Sequence, residues 1–397
     1  MLSDKCQHHK NPVNSVINPA NLRLPLRAMK DMHRSSKPVA IWLLIGVGMI
    51  IIQIVLGGIT RLTDSGLSIT EWKPLLGTVP PLNEEEWNRA FNQYKQIAQF
   101  KHLHSYFTSE DFKSIFFWEW MHRLWGRLIG LVFLIPFIVF VVQKRFSKDM
   151  IRPMVILFLL GGLQGLIGWI MVKSGLNDED IYVSHIRLAA HFMAALGLLV
   201  FTFWFALKLL VKPGQKIYDP ISKKLVISIV LILILQLIYG ALMAGLKAAT
   251  YAPTWPDING DYLPSNMTRI AGRSYSFLSA LINNPIAIHF IHRNLAYLIF
   301  FLIVVWTITA MKKNKSPIFN AVKWWPLLLV VAQVVLGVTT VLTSPKKIPR
   351  AWGIFEWNAQ LHQLVAMLLL LSLVMVLFLF NSKEKTNYIK SVDHQPI

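Results

Sequence analysis

FFWEWMHRLWGRLIG, residues 116–130, is the stretch that decides how this chain can be interpreted. It opens an apolar run that continues to residue 142, and it places a glutamate, a histidine and two arginines where that run would meet water. Glu119 and His122 are three residues apart, so on a helix they share one face. Ionisable groups beside a membrane-spanning segment are costly unless they bind something. The stretch therefore predicts a functional site at the end of a membrane helix.

Seven further apolar runs flank this one. Of the 397 residues, 54% are hydrophobic and only 15% are charged, whereas soluble domains carry about 25% charged residues. Each run is close to the ~20 residues that a helix needs to cross a bilayer. The eight predicted spans are residues 39–59, 124–142, 153–172, 188–207, 225–246, 286–310, 324–342 and 361–380. The fold class predicted is an all-α integral membrane protein with eight transmembrane helices.

The basic residues are distributed unevenly among the connecting segments. Segments 1–38, 143–152, 208–224, 312–323 and 381–397 together hold 23 of the 40 Lys and Arg residues but only 6 of the 20 Asp and Glu residues. This positive-inside pattern predicts that both termini, 1–38 and 381–397, are cytoplasmic tails. The net charge of +20 is then explained by contact with membrane lipid and needs no nucleic acid. A bacterial plasma (inner) membrane is the predicted location, with a processed organellar protein as the alternative.

The chain contains two kinds of internal repeat. Every odd-numbered span carries Gln-x-x-x-Gly, starting at Gln53, Gln164, Gln236 and Gln333. For a single copy, close packing of helices explains the motif, but four copies at equivalent places indicate a repeated unit. The even-numbered spans carry histidines with the same register, 170 residues apart in one pair and 171 in the other. Two parallel-repeat four-helix bundles are therefore predicted, residues 39–212 and residues 213–380.

Those histidines are the candidate ligands. His122, His191, His292 and His362 lie at the starts of the predicted even-numbered spans, so all four should lie near the outer face at similar depth. Two histidines on alternate helices of one bundle can approach a plane from opposite sides, which is bis-histidine haem ligation. Zinc or copper would normally require three or more converging ligands. With Cys6 as the only cysteine, thioether attachment of haem within one chain needs more thiols than the chain has.

One carboxylate makes the two halves unequal. Glu119 precedes His122 by three residues, whereas the matching position before His292 is His289. A carboxylate there could stabilise positive charge or move a proton during oxidation of a bound molecule. The hypothesis is chemistry in the first half and electron transfer in the second. The arginines near these histidines are either contacts for haem propionates or side chains at the membrane interface, and they are Arg123, Arg127, Arg187 and Arg293.

The chain resembles the heme A synthase family, in the form shared by proteobacteria and mitochondria. The resemblance rests on the motifs GGITRLTDSGLS at 57–68, EWMHRLWGR at 119–127, RLAAH at 187–191, IHR at 291–293 and LHQ at 361–363. It implies oxidation of the C8 methyl of haem O to a formyl group by successive hydroxylations, which gives haem A for cytochrome oxidase. It further implies that His122 and His191 flank the substrate haem with Glu119 assisting, and that His292 and His362 hold haem b. Some members have a cysteine pair in the first external loop, which is missing from this sequence.

Two other functions fit the same residues. A quinol-linked di-haem b cytochrome would use the four histidines and leave both haems unchanged. A secondary transporter would also have parallel repeats, but it would need a polar path at the midplane of the bilayer. The partners expected for the synthase are haem O, an enzyme that makes haem O (a protohaem farnesyltransferase), an unidentified electron donor and, as a further possibility, a second copy of the chain.

Overall fold

Eight helices of the protein are long and apolar enough to cross a membrane. A computed structural model of the chain describes residues 19–71, 76–146, 148–270, 272–312, 316–347 and 352–381. Most of the predicted cytoplasmic tail 1–38 and nearly all of the tail 381–397 lie outside these ranges, as does Cys6. The eight helices confirm the all-α, multi-pass prediction.

The helices and strands of the described residues are as follows. The helices are α1 Pro19–Leu62, α2 Glu84–Tyr94, α3 Ser109–Val142, α4 Lys148–Lys173, α5 His185–Leu210, α6 Pro220–Gly245, α7 Phe277–Asn283, α8 Pro285–Met311, α9 Pro317–Val322, α10 Trp325–Thr343 and α11 Ile354–Leu379. Five short helical turns lie at Leu76–Thr78, Phe100–His104, Pro213–Gln215, Ala248–Tyr251 and Ser344–Lys346. Strands β1 Arg269–Ile270 and β2 Arg273–Ser274 pair antiparallel in a small hairpin.

The four even-numbered spans correspond to α3, α5, α8 and α11, and they begin earlier than the apolar runs suggested. Capping groups explain the difference, because a side-chain acceptor satisfies the free N–H groups of a first turn. Thr108 and Asp111 form a capping box at α3, and the Asn284 side chain accepts the N–H groups of Ile286 and Ala287 at α8. The prediction that the four histidines stand at helix starts was therefore wrong. They lie about two to four turns inside their helices.

Two rings of four helices make up the membrane region. Helices α1, α3, α4 and α5 pack in one ring, and α6, α8, α10 and α11 pack in the other. Helices α5, α6, α1 and α11 join the rings through a shared apolar core that includes Leu199, Ile229 and Leu373. In the most apolar window of each helix, 39% of residues are buried in α1 and 44% in α11, but none in α3 and 6% in α4. Helices α3 and α4 therefore turn their apolar side chains to lipid.

The two long external segments, 60–118 and 247–285, carry structure of their own. In the first, α2 packs onto the start of α3 through a cluster of aromatic side chains, Phe91, Tyr94, Phe112 and Phe116. In the second, Ala252 and Ile258 pack against Ile286 at the beginning of α8. Each segment is thus held against the outer end of its own ring of helices.

Candidate functional site

The four candidate histidines line one cavity between the two rings of helices. The cavity has a volume of about 930 Å³ and is lined mainly by apolar side chains and glycines. His122 and His191 reach it from the first ring, and His292 and His362 reach it from the second. A mostly apolar cavity with a few convergent polar groups is typical of a cofactor or ligand site. The rings of the candidate histidines therefore point into the protein and not into lipid.

Each histidine ring lies against the glycine of a Gln-x-x-x-Gly motif. A Cβ atom at any of these glycines would come within 3.2 Å of the neighbouring imidazole, which is closer than ordinary van der Waals contact allows. The four pairs are Gly57 with His122, Gly168 with His191, Gly240 with His292, and Gly337 with His362. Glycine is therefore needed at these places because a side chain would fill the space that the ring occupies.

The glutamine of each motif contacts the same histidine. The Gln53 amide nitrogen lies 3.0 Å from His122 Nε2 and also donates to the His122 carbonyl oxygen. The Gln164 amide nitrogen makes the same pair of contacts with His191, 3.2 Å from its Nδ1. In the second ring, the amide nitrogens of Gln236 and Gln333 lie 3.3 Å from His292 Nε2 and 3.2 Å from His362 Nε2, respectively. The four motifs thus form four equivalent histidine cradles.

The donor set fits haem iron. The ring centroids of His292 and His362 are 6.4 Å apart, close to the spacing of two imidazoles on opposite sides of one metal with metal–nitrogen bonds of about 2 Å. His292 Nδ1 is buried without a hydrogen-bond partner in the described part of the chain. Across the same described residues, no three His, Cys, Asp or Glu side chains converge. Haem iron requires only two axial ligands, so two histidines per ring suffice.

Glu119 is buried, with 3% of its surface exposed, and both of its carboxylate oxygens are engaged. One oxygen accepts hydrogen bonds from the Ser68 hydroxyl at 2.7 Å and from the Ile69 N–H at 2.9 Å. The other accepts two from Arg123, the shorter at 2.6 Å. Four donors favour the ionised carboxylate. Glu119 is therefore placed as a fixed negative charge at the rim of the cavity, one turn from His122.

Arg123 and Arg293 hold the external segments of their respective halves. Arg123 donates to the carbonyl oxygens of Ile69 and Glu71 as well as to Glu119. Arg293, 170 residues later, donates to the carbonyl oxygens of Thr254, Pro256 and Asp257. Its guanidinium also contacts the ring of His289, which occupies the position of Glu119 in the second half. Both guanidiniums are thus bound to loop backbone in this structure, although both also line the cavity.

The other two predicted arginines lie in different surroundings. Arg127 lines the cavity one turn beyond Arg123 on α3. Arg187 donates to the Ile170 carbonyl oxygen at 3.0 Å and links α5 to α4. Of the four arginines, Arg123, Arg127 and Arg293 are therefore near enough to the cavity to meet a bound anionic group, and Arg187 is a link between helices.

A charged cluster joins the two halves at the rim of the cavity. Asp64 follows α1 and accepts hydrogen bonds from Lys247 at 2.9 Å and from Lys347 at 3.2 Å. The exposed fractions of these side chains are only 16%, 27% and 28%. Burial by itself would raise the pKa of Asp64, but the two lysines outweigh it and hold the pKa below its ordinary value. Burial lowers the pKa of Lys247, and Asp64 partly offsets this.

Sequence reasoning missed two parts of this site. It attributed single Gln-x-x-x-Gly copies to helix packing, although their equal spacing from the histidine-bearing spans was a usable signal. It gave no role to Asp64, Lys247 or Lys347, which are far apart in the chain and meet only because the two halves pack together.

Comparison with known proteins supports one family for the whole membrane region. The family model of the cytochrome oxidase assembly protein (COX15-CtaA) matches residues 40–374. A heme A synthase of Parvibaculum lavamentivorans is 37% identical over 322 residues, which cover 81% of this chain and 91% of the relative. Heme A synthases of Flavobacterium psychrophilum and Rhodopseudomonas palustris are 37% and 41% identical, over 88% and 71% of this chain and 99% and 77% of their own lengths.

Proposed function

Because this chain belongs to the heme A synthase family, we propose that it oxidises the C8 methyl group of haem O to a formyl group and so produces haem A. The conversion of R–CH3 and water to R–CHO releases four electrons and four protons, which an unidentified electron acceptor and the solvent must take up. Haem O enters as the substrate between His122 and His191. Haem b is held by His292 and His362, and when bound it supplies one-electron transfer.

The observation that carries the assignment of the halves is the difference between Glu119 and His289. Both residues stand three positions before a candidate ligand and both contact an arginine four positions later. Only Glu119 brings a negative charge to the rim of the cavity. A fixed carboxylate lowers the energy of positive charge that develops during oxidation of a bound molecule. We therefore assign the chemistry to the first half, and electron transfer to the second.

Glu119 acts in this proposal by charge. Its oxygens already accept from Ser68, Ile69 and Arg123, so an electrostatic role accounts for its surroundings better than the carriage of a proton. The apolar cavity strengthens such an effect because little water is present to screen the charge. Arg123, Arg127 and Arg293 are the residues we propose to meet haem propionates from the rim, while Arg187 fixes the start of α5.

The family membership favours this reading over the two alternatives considered from the sequence. A di-haem b electron carrier would release its haems unchanged. A secondary transporter would need a polar path at the midplane, whereas the glutamines near that depth are directed to histidine rings. We further propose a bacterial inner-membrane location with both termini cytoplasmic, and a haem O-producing farnesyltransferase and an electron donor as partners.

The assignment of the halves is tested by removing one ligand from each. His362→Ala is expected to release haem b from the purified protein while haem O is still bound. His191→Ala should retain haem b and lose the substrate haem, because the other ring of helices is untouched. Pyridine haemochrome spectra and mass analysis of the extracted haems distinguish haem b, haem O, haem A and the hydroxylated intermediate. Loss of haem b from His191→Ala with its retention in His362→Ala would reverse the assignment.

The role of Glu119 is tested with Glu119→Gln, which keeps the size and removes the charge. Haem content should be unchanged, and conversion of haem O should fall by about 10²-fold or more, the usual cost of losing a catalytic electrostatic contact. Glu110→Gln makes the same change at an exposed site on the same helix and serves as the control. Full turnover by Glu119→Gln with normal haem content would refute the role.

A further inference from the structure

The four glutamines share one unexplained feature. Each amide nitrogen faces a histidine, but each amide oxygen is buried and has no hydrogen-bond partner among the described residues. The four are Gln53, Gln164, Gln236 and Gln333. A buried acceptor left without a donor costs about 1–3 kcal/mol. The same orphan oxygen at four equivalent places indicates a donor that arrives with a ligand.

A metal-bound imidazole is such a donor. A neutral imidazole has one N–H and one nitrogen lone pair. When the lone pair binds a metal, the other nitrogen carries the N–H, and this N–H is almost always given to an acceptor nearby. In the structure, the glutamine N–H faces a ring nitrogen that must therefore be unprotonated. A half-turn of the amide exchanges its nitrogen and oxygen within the same volume, so one side chain can serve both states of the ring.

We propose that these four glutamines accept the ring N–H of the histidines once those bind iron, and thereby set their orientation and basicity. The inference rests on the proposed function, because it assumes that the histidines are haem ligands. A ligand that donates to an acceptor becomes more basic and stabilises the oxidised iron, which lowers its reduction potential. The glutamines are thus positioning residues, and each glycine one turn later provides the space in which the ring is held.

The second half contains an internal comparison. His292 Nδ1 has no partner among the described residues, so Gln236 offers the acceptor nearest to that ring. His362 Nδ1 already lies 3.1 Å from the backbone carbonyl oxygen of Gln333, which shares the work with the Gln333 side chain. Removing the side chain of Gln236 should therefore affect haem b more than removing that of Gln333.

The alternative is that the glutamines only pack the helices together. Packing would be served nearly as well by a side chain of similar size, and the electronic properties of the haem would not follow the hydrogen-bonding capacity of the residue. Substitutions with leucine and with glutamate separate the two explanations, because leucine removes the acceptor and glutamate strengthens it.

The experiment is a redox titration of haem b in the purified, full-length protein, together with electron paramagnetic resonance of its ferric low-spin signal. Gln236→Leu should raise the midpoint potential and Gln236→Glu should lower it, with a smaller rise for Gln333→Leu. Gln360→Leu is the control, since Gln360 is a buried glutamine of the same half that contacts none of the four histidines through a hydrogen bond. The titration needs no turnover, so it is separate from the test of the proposed function, which fails if the unaltered protein does not convert haem O.

The outcomes separate the two roles. Loss of haem from Gln236→Leu, with retention in Gln236→Glu and Gln360→Leu, would also support the proposal, because only the acceptor distinguishes these variants. Unshifted potentials in both Gln236 variants with haem fully bound would overturn it. Loss of haem from both Gln236 variants alike would assign the glutamine to packing, since glutamate keeps the acceptor.

Discussion

Gly168→Ala is expected to abolish haem binding in the first half of the protein. A Cβ atom at this position would lie 2.8 Å from His191 Cε1 and 3.4 Å from both ring nitrogens. The ring must then leave its place beside α4, and with it the nitrogen that would bind iron. We expect at least a tenfold loss of affinity for the haem of this half, since disturbing even the partners of a ligand commonly costs 10–100-fold.

Gly165→Ala is the matched control, because it lies one turn earlier on the same helix and nothing lies within 4 Å of the Cβ position. Alanine favours a helix over glycine by about 1 kcal/mol, so both variants gain in helix propensity and only one meets a histidine. The measurement is the haem-to-protein ratio after purification. Gly337→Ala, at 3.0 Å from His362, should remove haem b instead. Equal haem content in Gly165→Ala and Gly168→Ala would show that the ring does not need this space.

The membrane fold was predictable from the sequence because each span must bury its backbone in hydrocarbon and so needs a long apolar run. The ends of the helices were not. Span 2 was expected at 124–142, but α3 begins at Ser109, since the capping box of Thr108 and Asp111 starts the helix outside the apolar region. Polar first turns with good caps extend a membrane helix beyond its hydrophobic part, and hydropathy does not register them.

The candidate histidines were also predictable, because their register repeats between the halves, but their environment was not. The contact between Gln53 and His122 depends on how α1 packs against α3, and one sequence alone does not contain that distance. Arg123 was interpreted as a propionate contact or an interfacial side chain, and neither expectation included the loop carbonyls that it binds. Periodicity gives the face of a helix on which a residue lies. The partner on that face comes from tertiary packing.

The cluster of Asp64, Lys247 and Lys347 shows the same limit on a larger scale. Asp64 and Lys247 are separated by 183 residues, which is also the spacing from Gln53 to Gln236. Equivalent positions of the two halves therefore meet each other at this interface. A repeat can be found in a sequence, but whether equivalent residues touch depends on how the copies pack.

Asp64→Asn is expected to destabilise the protein by about 3 kcal/mol, the low end of the cost of breaking a buried ion pair. The variant leaves Lys247 and Lys347 facing each other with no carboxylate between them, in a region where less than a third of either side chain is exposed. Thermal unfolding of the detergent-solubilised protein measures the effect. Asp178→Asn removes an ion pair with Lys101 in which the side chains are 80% and 46% exposed, and it should change stability by less than about 1 kcal/mol.

The pH dependence of this effect follows from the pKa of Asp64. Its folded-state pKa lies below the ordinary value because the two lysines outweigh the effect of burial. The contribution is therefore fully present above the ordinary aspartate pKa of about 3.9 and is lost as the pH falls through the lower folded-state value. The stability difference between the unaltered protein and Asp64→Asn should be constant from about pH 5 to pH 8 and should narrow below about pH 4. A difference that instead grew on acidification would mean that Asp64 is not the ionised partner of the two lysines. The double variant Asp64→Asn/Lys347→Met should recover part of the loss, because it leaves one cation fewer at the interface of the two halves.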